Sequence, residues 1–282
     1  MRHAVLGNGN LGNAIAKEVL KNNKNEFKLF STTTGWKYPR DGIQDILDYM
    51  PDHVWVTVGA GSVEQAKDQY DLFADLHIRL PMQLAQNLKE NVVLHLFSTD
   101  YCCTPTPQSL YALSKKHMEE SIALLNLTGY MLNKVNVYRV GSLYGTHKPQ
   151  KCFPYKLKKN FSLGKEIELP ENCISPTPVD WLAEHLLYLN ENSCVTSCSN
   201  PAVFEVRLIC PSGCTTVKNW GELILGTEVK SKYLDLSRPT KCFHGNCDNS
   251  LPSWLELWEE RQRPSMGCPV NYSPCGVCGS EG

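Results

Sequence analysis

The chain has 282 residues, with 28 basic and 29 acidic side chains, 42% apolar residues, 19 glycines and 13 cysteines. A net charge of −1 argues against a nucleic-acid partner, because duplex binding by counterion release draws on a basic face. No apolar run approaches the ~18 residues of a membrane span, and Arg2-His3-Ala4-Val5-Leu6 runs into glycines rather than a signal-peptide core.

The length suits one or two domains of about 150 residues each. It is enough to bury a core without disulfide staples. An odd, high cysteine count admits a disulfide framework, a metal centre or reduced thiols. Chain size and the missing leader weigh against the first, and no cysteine precedes Cys102. The expected setting is reducing and cytoplasmic.

In chain order, His3–Leu6 is a short apolar run of strand length, followed by Gly7-Asn8-Gly9-Asn10-Leu11-Gly12. Leu11, Ile15, Ala16, Val19 and Leu20 then recur at helical spacing. Phe27–Phe30 reads as a second strand and His53–Val58 as a third. A helical stretch runs from about Val63 to Leu88, with a break expected near Pro81. Val92–Phe97 is a fourth strand. A helix carrying Leu113, Met118, Ile122 and Leu125 on one stripe precedes a fifth, Val135–Val140. Strands separated by helices imply right-handed crossovers and a parallel sheet covered on both faces. The fold class is therefore α/β: a Rossmann-like, doubly wound parallel sheet with a smaller C-terminal lobe.

The glycine loop sits between a strand and a helix, the context in which G-x-G-x-x-G has a mechanism. Gly7 makes the tight turn, Gly9 lets the backbone approach a pyrophosphate, and Gly12 lets the helix pack against the strand. Asn8, Asn10 and Leu11 complete the loop, and the helix N-terminus faces the phosphate charge. An NAD site usually places Asp or Glu ~20 residues further on, at the end of the second strand. Here that position reads Ser31-Thr32-Thr33-Thr34, with Lys37 and Arg40 nearby and no acid before Asp41. Hydroxyls and bases suit a 2′-phosphate, which favours NADP(H) over NAD(H). The alternative is that Lys37 and Arg40 are solvated loop charges. Gly59 and Ala60, after the third strand, join the cofactor set.

Tyrosine and lysine four apart share a helix face, but this spacing occurs at Tyr111/Lys115, Tyr130/Lys134, Tyr144/Lys148 and Tyr155/Lys159. Only the first pair opens a strong amphipathic helix soon after a strand that ends Phe97-Ser98-Thr99-Asp100. Tyr130/Lys134 straddles a helix-to-strand connection and Tyr144/Lys148 crosses Gly145. Tyr155/Lys159 reads as a solvated face. Tyr111 and Lys115 are the candidates.

With these residues in order, the chain resembles the extended short-chain dehydrogenase/reductases, and within them the dTDP-4-dehydrorhamnose reductase group. The resemblance is carried by the glycine loop, Ser98-Thr99-Asp100-Tyr101, Tyr111-Ala112-Leu113-Ser114-Lys115 and Arg139-Val140-Gly141-Ser142-Leu143-Tyr144-Gly145. It continues through Ile174-Ser175-Pro176-Thr177-Pro178-Val179-Asp180-Trp181-Leu182-Ala183, Arg238-Pro239 and Leu251-Pro252-Ser253-Trp254. It implies NADPH-dependent reduction of the C4 ketone of a nucleotide-linked 4-keto-6-deoxy sugar. Tyr111 would give the proton, and Lys115 would acidify it and hold the nicotinamide ribose. Thr99 would orient the carbonyl by a hydrogen bond. Two alternatives stand beside this: an epimerase or dehydratase of the same family, and a non-catalytic NADP-binding regulatory subunit. The chain departs from the family pattern in the short Cys102-Cys103-Thr104-Pro105-Thr106-Pro107 link to Tyr111, in Val58-Gly59-Ala60-Gly61, and near His77, where the family often has an asparagine.

The expected domains are a cofactor-binding domain over 1–147, rejoined by 177–210, and a substrate lobe over 148–176 and 211–262. A poorly ordered tail is expected over 263–282. Lys148, Lys151, Lys156, Lys158, Lys159 and Lys165 make the start of the lobe basic, fit either for a sugar-nucleotide diphosphate or for solvent. Ser175-Pro176-Thr177 is expected to open a helix with Val179, Leu182, Ala183, Leu186 and Leu187 on its stripe. Cys194/Cys198, Cys210/Cys214 and Cys275/Cys278 form close pairs, with Cys242, His244, Cys247 and Cys268 nearby. Unpaired thiols are the simpler reading, and no metal is expected. The expected partner is a nucleotide sugar, with no nucleic acid and no membrane; a homodimer is left open.

Overall fold

The computed structural model describes residues 1–59, 69–103, 109–145, 147–148, 150, 152–192, 204–211, 214–232 and 257; the side chains of 191–192 and 232 are not described. Six parallel strands form the central sheet: β1 (Arg2–Leu6), β2 (Glu26–Phe30), β3 (His53–Val56), β4 (Val93–Thr99), β5 (Lys134–Val140) and, far along the chain, the strand Phe204–Ile209. Their spatial order runs β2-β1-β3-β4-β5 and ends on Phe204–Ile209. The chain therefore leaves β1 in one direction and returns past it to β3. That reversal makes the C-terminal ends of β1 and β3 the topological switch point, where an open α/β sheet keeps its ligand crevice.

Both faces of the sheet are covered, which is why its strands read as apolar runs rather than alternating ones. On one face Ala4, Leu6, Val54, Val56, Leu94 and Leu96 pack under Leu80, Leu84, Met118 and Ile122. On the other, Val5, Trp55, Phe97 and Tyr138 meet Ile15 and Val19 of helix α1 (Asn10–Leu20). Leu182 and Leu186 of a later helix, Val179–Asn192, complete that layer. The doubly wound α/β architecture read from the sequence is the one observed.

Helix α2 (Gln44–Asp48) precedes β3, and α3 (Tyr70–Ala74) runs into a π-helical turn, Asp75–Arg79, and then α4 (Leu80–Asn87). The break expected near Pro81 is replaced by this wider turn. Proline clashes with the carbonyl four residues back, and the π turn over Asp75–Arg79 relieves that clash while Pro81 occupies the first turn of α4. The first part of that expected helix, at 63–68, lies outside the described residues.

Beyond α5 (Leu110–Leu127) and β5, strand β6 (Ser142–Tyr144) leads to α6 (Phe153–Ser162), β7 (Glu168–Pro170), β8 (Cys173–Ile174) and β9 (Pro176–Pro178). Helix α7 (Val179–Asn192) and β10, the sheet strand Phe204–Ile209, then return to the main core. β11 (Thr215–Thr216), α8 (Val217–Leu225) and β12 (Lys230–Lys232) complete a smaller lobe. Tyr144, Leu157, Leu169, Val217, Trp220 and Ile224 form its separate core. The expected helix start at Ser175 is corrected: Pro176–Pro178 pair with β6 as a strand, and the helix begins at Val179. Two prolines in three residues, Pro176 and Pro178, favour extended backbone there. No helix among the described residues is long and apolar enough to cross a membrane.

Candidate active site

The glycine loop takes the shape its spacing demands. Gly7 has φ +103°, and a Cβ there would lie 2.8 Å from the Val58 nitrogen. At Gly12 a Cβ would stand 2.0 Å from the Gly7 carbonyl and 2.6 Å from Thr57 Oγ1. Thr57, just past β3, donates to the Leu6 carbonyl at 2.8 Å and closes the turn from the neighbouring strand. Gly9 differs: nothing lies within 4 Å of where its Cβ would be. It is also the N-cap of α1, with no side-chain cap on the first-turn N–H groups. An open cradle over uncapped donors fits a dinucleotide pyrophosphate.

One cavity of about 260 Å³ collects Gly7, Asn8, Gly9, Ser31, Thr32, Lys37 and Gly59. Trp36, Tyr38, Leu72 and Leu76 give it an apolar wall suited to an adenine ring. Asn8 Nδ2 donates to Thr33 Oγ1 at 2.7 Å, tying the glycine loop to the hydroxyl cluster at the end of β2. Asn10 turns toward the second lobe, and Leu11 lies on the buried face of α1. Arg40 does not line this cavity: its guanidinium is paired with Asp41 at 2.7 Å and donates to the Gly35 carbonyl at 2.7 Å. Asp41 is held down at about 2, chiefly by that arginine. Of the two bases read from the sequence, only Lys37 reaches the cavity. Ala60 lies outside the described residues.

Helix α5 begins where Ser109 accepts a hydrogen bond from Ala112 N–H at 3.2 Å, an N-cap that sets Tyr111 on the first turn. Lys115 is buried, and its ammonium donates to the Phe97 carbonyl of β4 at 2.8 Å. Burial lowers its pKa to about 8. Thr99, at the end of β4, is also buried; its hydroxyl donates to Asp100 Oδ1 at 3.1 Å. The Tyr111 pKa is pushed well above its ordinary value by burial, with Tyr101, Asp100 and Cys102 adding to the effect. Acidification by Lys115, expected from the sequence, is not among the influences on the phenol.

Three supports surround these residues; the sequence reading singled out the position of His77 and the basic run that holds Lys148 without giving either this role, and it missed Glu119. His77, on the π turn, meets Ser114 Oγ through Nδ1 at 2.9 Å, and its ring lies 5.8 Å from that of Tyr111. Ser114 Oγ donates to the Tyr111 carbonyl at 2.8 Å, so His77 Nδ1 carries the proton in that contact and Nε2 is the bare nitrogen. That nitrogen faces Gly59, whose Cβ would come within 3.1 Å of it. Buried Glu119, one turn beyond Lys115, binds Arg139 at 2.6 Å and 3.0 Å and accepts from Ser98 at 2.5 Å, fastening α5 to β4 and β5. A carboxylate on the buried stripe of α5 was the available signal. The third is Lys148, which lines the cavity at the glycine loop.

Among the described residues Cys102, Cys103 and Cys152 carry no disulfide. No group of three or more His, Cys, Asp or Glu side chains among them could hold a metal ion. The pairs Cys194/Cys198 and Cys275/Cys278, and Cys242, His244, Cys247 and Cys268, lie outside the described residues.

No family model and no curated protein matches this sequence. Solved structures do. The chain superposes on a dTDP-4-dehydrorhamnose reductase from Bacillus anthracis in complex with NADP with a TM-score of 0.71, at 18% identity over 93% of this chain and 99% of that one. A dTDP-4-dehydrorhamnose reductase from Clostridium acetobutylicum gives 0.68 at 19% identity, over 92% and 98%. A UDP-glucose 4-epimerase from Thermus thermophilus complexed with NAD gives 0.64 at 16% identity, over 95% of each chain. The resemblance carried by the motifs thus extends to the fold, that of the sugar-nucleotide reductases and epimerases.

Proposed function

We propose that this protein binds NADP(H) and reduces the C4 ketone of a nucleotide-linked 4-keto-6-deoxy sugar. The observation that supports the reading is a chain of contacts: Thr99 ends β4, Lys115 of α5 donates to the Phe97 carbonyl of that strand, and the Tyr111 ring on the same helix lies 5.8 Å from that of His77, whose Nε2 faces Gly59 of the switch-point cavity. Bound reduced nicotinamide supplies a hydride for the carbonyl carbon. Tyr111, held protonated by burial, passes its phenolic proton to the carbonyl oxygen. Thr99 turns its hydroxyl from Asp100 Oδ1 to that oxygen. Lys115, fixed on the Phe97 carbonyl, holds the ribose side of the cofactor and keeps a cation beneath the phenolate that forms. Ser31, Thr32 and Lys37 receive the 2′-phosphate, and the smaller lobe provides the sugar-nucleotide subsite.

The test is incubation with NADPH and either dTDP- or UDP-4-keto-6-deoxyglucose, following the nicotinamide absorbance. The expected result is NADPH loss matched by the formation of a 4-hydroxy sugar. Tight NADPH binding without absorbance loss supports the regulatory-subunit reading instead. An oxidised NAD retained through purification supports an epimerase or dehydratase.

A further inference from the structure

Lys148 follows β6 in the smaller lobe, yet it lines the same cavity as Gly7, Asn8 and Gly9. Its ammonium donates to the Asn8 carbonyl at 2.8 Å and to Asn8 Oδ1 at 3.0 Å. The backbone around it is clipped to the first turn of α1. Lys148 N–H donates to Asn10 Oδ1 at 2.6 Å, and Asn10 Nδ2 donates to the Lys148 carbonyl at 3.3 Å and to Cys152 Sγ at 3.1 Å. That thiol accepts from Gly145 N–H at 3.4 Å, so the loop between β6 and α6 is anchored at both ends. The lysine is thus held in place by contacts independent of any ligand, and little ordering cost is left for binding.

The charge balance at this point is incomplete. Both acceptors of the ammonium are neutral oxygens of one asparagine, and no described carboxylate pairs with it. The cation also stands over the N-terminal end of α1, where the helix dipole is itself positive. Two positive features facing one cavity raise each other's energy, and an anion between them lowers both.

We propose that Lys148 is a pyrophosphate ligand of the bound dinucleotide, delivered by the smaller lobe across the glycine loop, with Asn8 and Asn10 as its positioning residues. This rests on the dinucleotide reading above and makes the second lobe part of the cofactor site. The pyrophosphate is the partner because the ammonium hangs on Asn8, between Gly7 and Gly9 in the chain. The groups suited to a 2′-phosphate, Ser31, Thr32 and Lys37, belong to the end of β2. The contact therefore serves NADPH and NADH alike.

Fluorescence titrations of the full chain with NADPH and with NADH, for wild type, Lys148→Gln and Lys148→Arg, test it beside thermal melts of the ligand-free proteins. Lys148→Gln is expected to weaken both dinucleotides by the same factor, about tenfold. Lys148→Arg should keep most of the affinity, and neither variant should melt far from wild type. Unchanged binding by Lys148→Gln overturns the proposal, as does a loss confined to NADPH, which moves the lysine to the 2′-phosphate. A wild-type protein that binds neither dinucleotide overturns the underlying cofactor reading, and this is seen before any variant is made. Should Lys148→Gln fail to fold, Asn10→Ala keeps the charge and releases the clip. Weaker binding of both dinucleotides then supports the proposal, and unchanged affinity overturns it.

Discussion

Burial, with Tyr101, Asp100 and Cys102 adding to it, holds the Tyr111 phenol protonated through the neutral range. The cation of the pair is spent on the strand: Lys115 grips the Phe97 carbonyl, and burial brings its pKa to about 8. In the proposed reaction Lys115 would act only as the phenolate develops, and only while it is charged. As pH rises through about 8 the ammonium is lost, so kcat/KM for the ketone should fall with an apparent pKa near that value. A pH–rate profile checks this, and Lys115→Met should both lower the rate and remove that limb. A similar residue-scale point concerns Arg40. Its neighbour Asp41 was visible in the sequence, and adjacency was enough for the two to pair and leave Lys37 as the base of that loop which lines the cavity.

On the face of the sheet beneath α1 and α7, away from the candidate site, an aromatic ladder crosses four strands. His3 stacks on His53 at 4.9 Å, His53 Nδ1 meets His95 Nε2 at 3.0 Å, and His95 Nδ1 meets Tyr138 OH at 3.0 Å. Trp55 lies 3.7 Å from the His95 ring and donates to His3 Nδ1 at 3.2 Å. Burial lowers His3 to about 3 and His53 to about 4, and drives His95 well below its ordinary value. These histidines are neutral when folded and titrate near 6.5 when unfolded, so the unfolded chain takes up protons first as pH falls. Above about 6.5 they cost nothing; below it each removes roughly 1.4 kcal/mol of stability per pH unit until its folded pKa is reached. Urea midpoints between pH 7 and 5 should fall steeply, and His95→Gln should flatten the slope by one histidine's share. At the glycine loop the packing is steric rather than electrostatic. Gly12→Ala would drive a Cβ into the Gly7 carbonyl and Thr57, costing about 1–3 kcal/mol. A thermal melt should register that loss, together with weaker dinucleotide binding.

At the scale of the whole molecule, what the sequence made legible was local. The apolar runs of β1, β3, β4 and β5, the glycine loop at its strand-to-helix junction, and the Ser109-capped helix bearing Tyr111 all follow from short-range pattern. What stayed hidden depends on contacts between distant segments. The π turn at Asp75–Arg79 accommodates Pro81 within a helix that local rules would break. Pro176–Pro178 become a strand because β6 is there to pair with them. Lys148 joins the cavity at the glycine loop through hydrogen bonds to Asn8 and Asn10, about 140 residues earlier in the chain, and nothing in a run of lysines distinguishes it. The two lobes therefore meet at the glycine loop.

The central claim is proton transfer from Tyr111 to a sugar ketone coupled to hydride transfer. A single-turnover experiment tests it most directly: protein in excess over a nucleotide-linked 4-keto-6-deoxy sugar, NADPH present, with the nicotinamide absorbance followed for wild type and Tyr111→Phe. The wild type is expected to consume one NADPH per sugar. For Tyr111→Phe a rate lower by about 10²–10⁴-fold is expected, with NADPH affinity little changed. A Tyr111→Phe protein that consumes NADPH as fast as the wild type contradicts proton transfer from Tyr111.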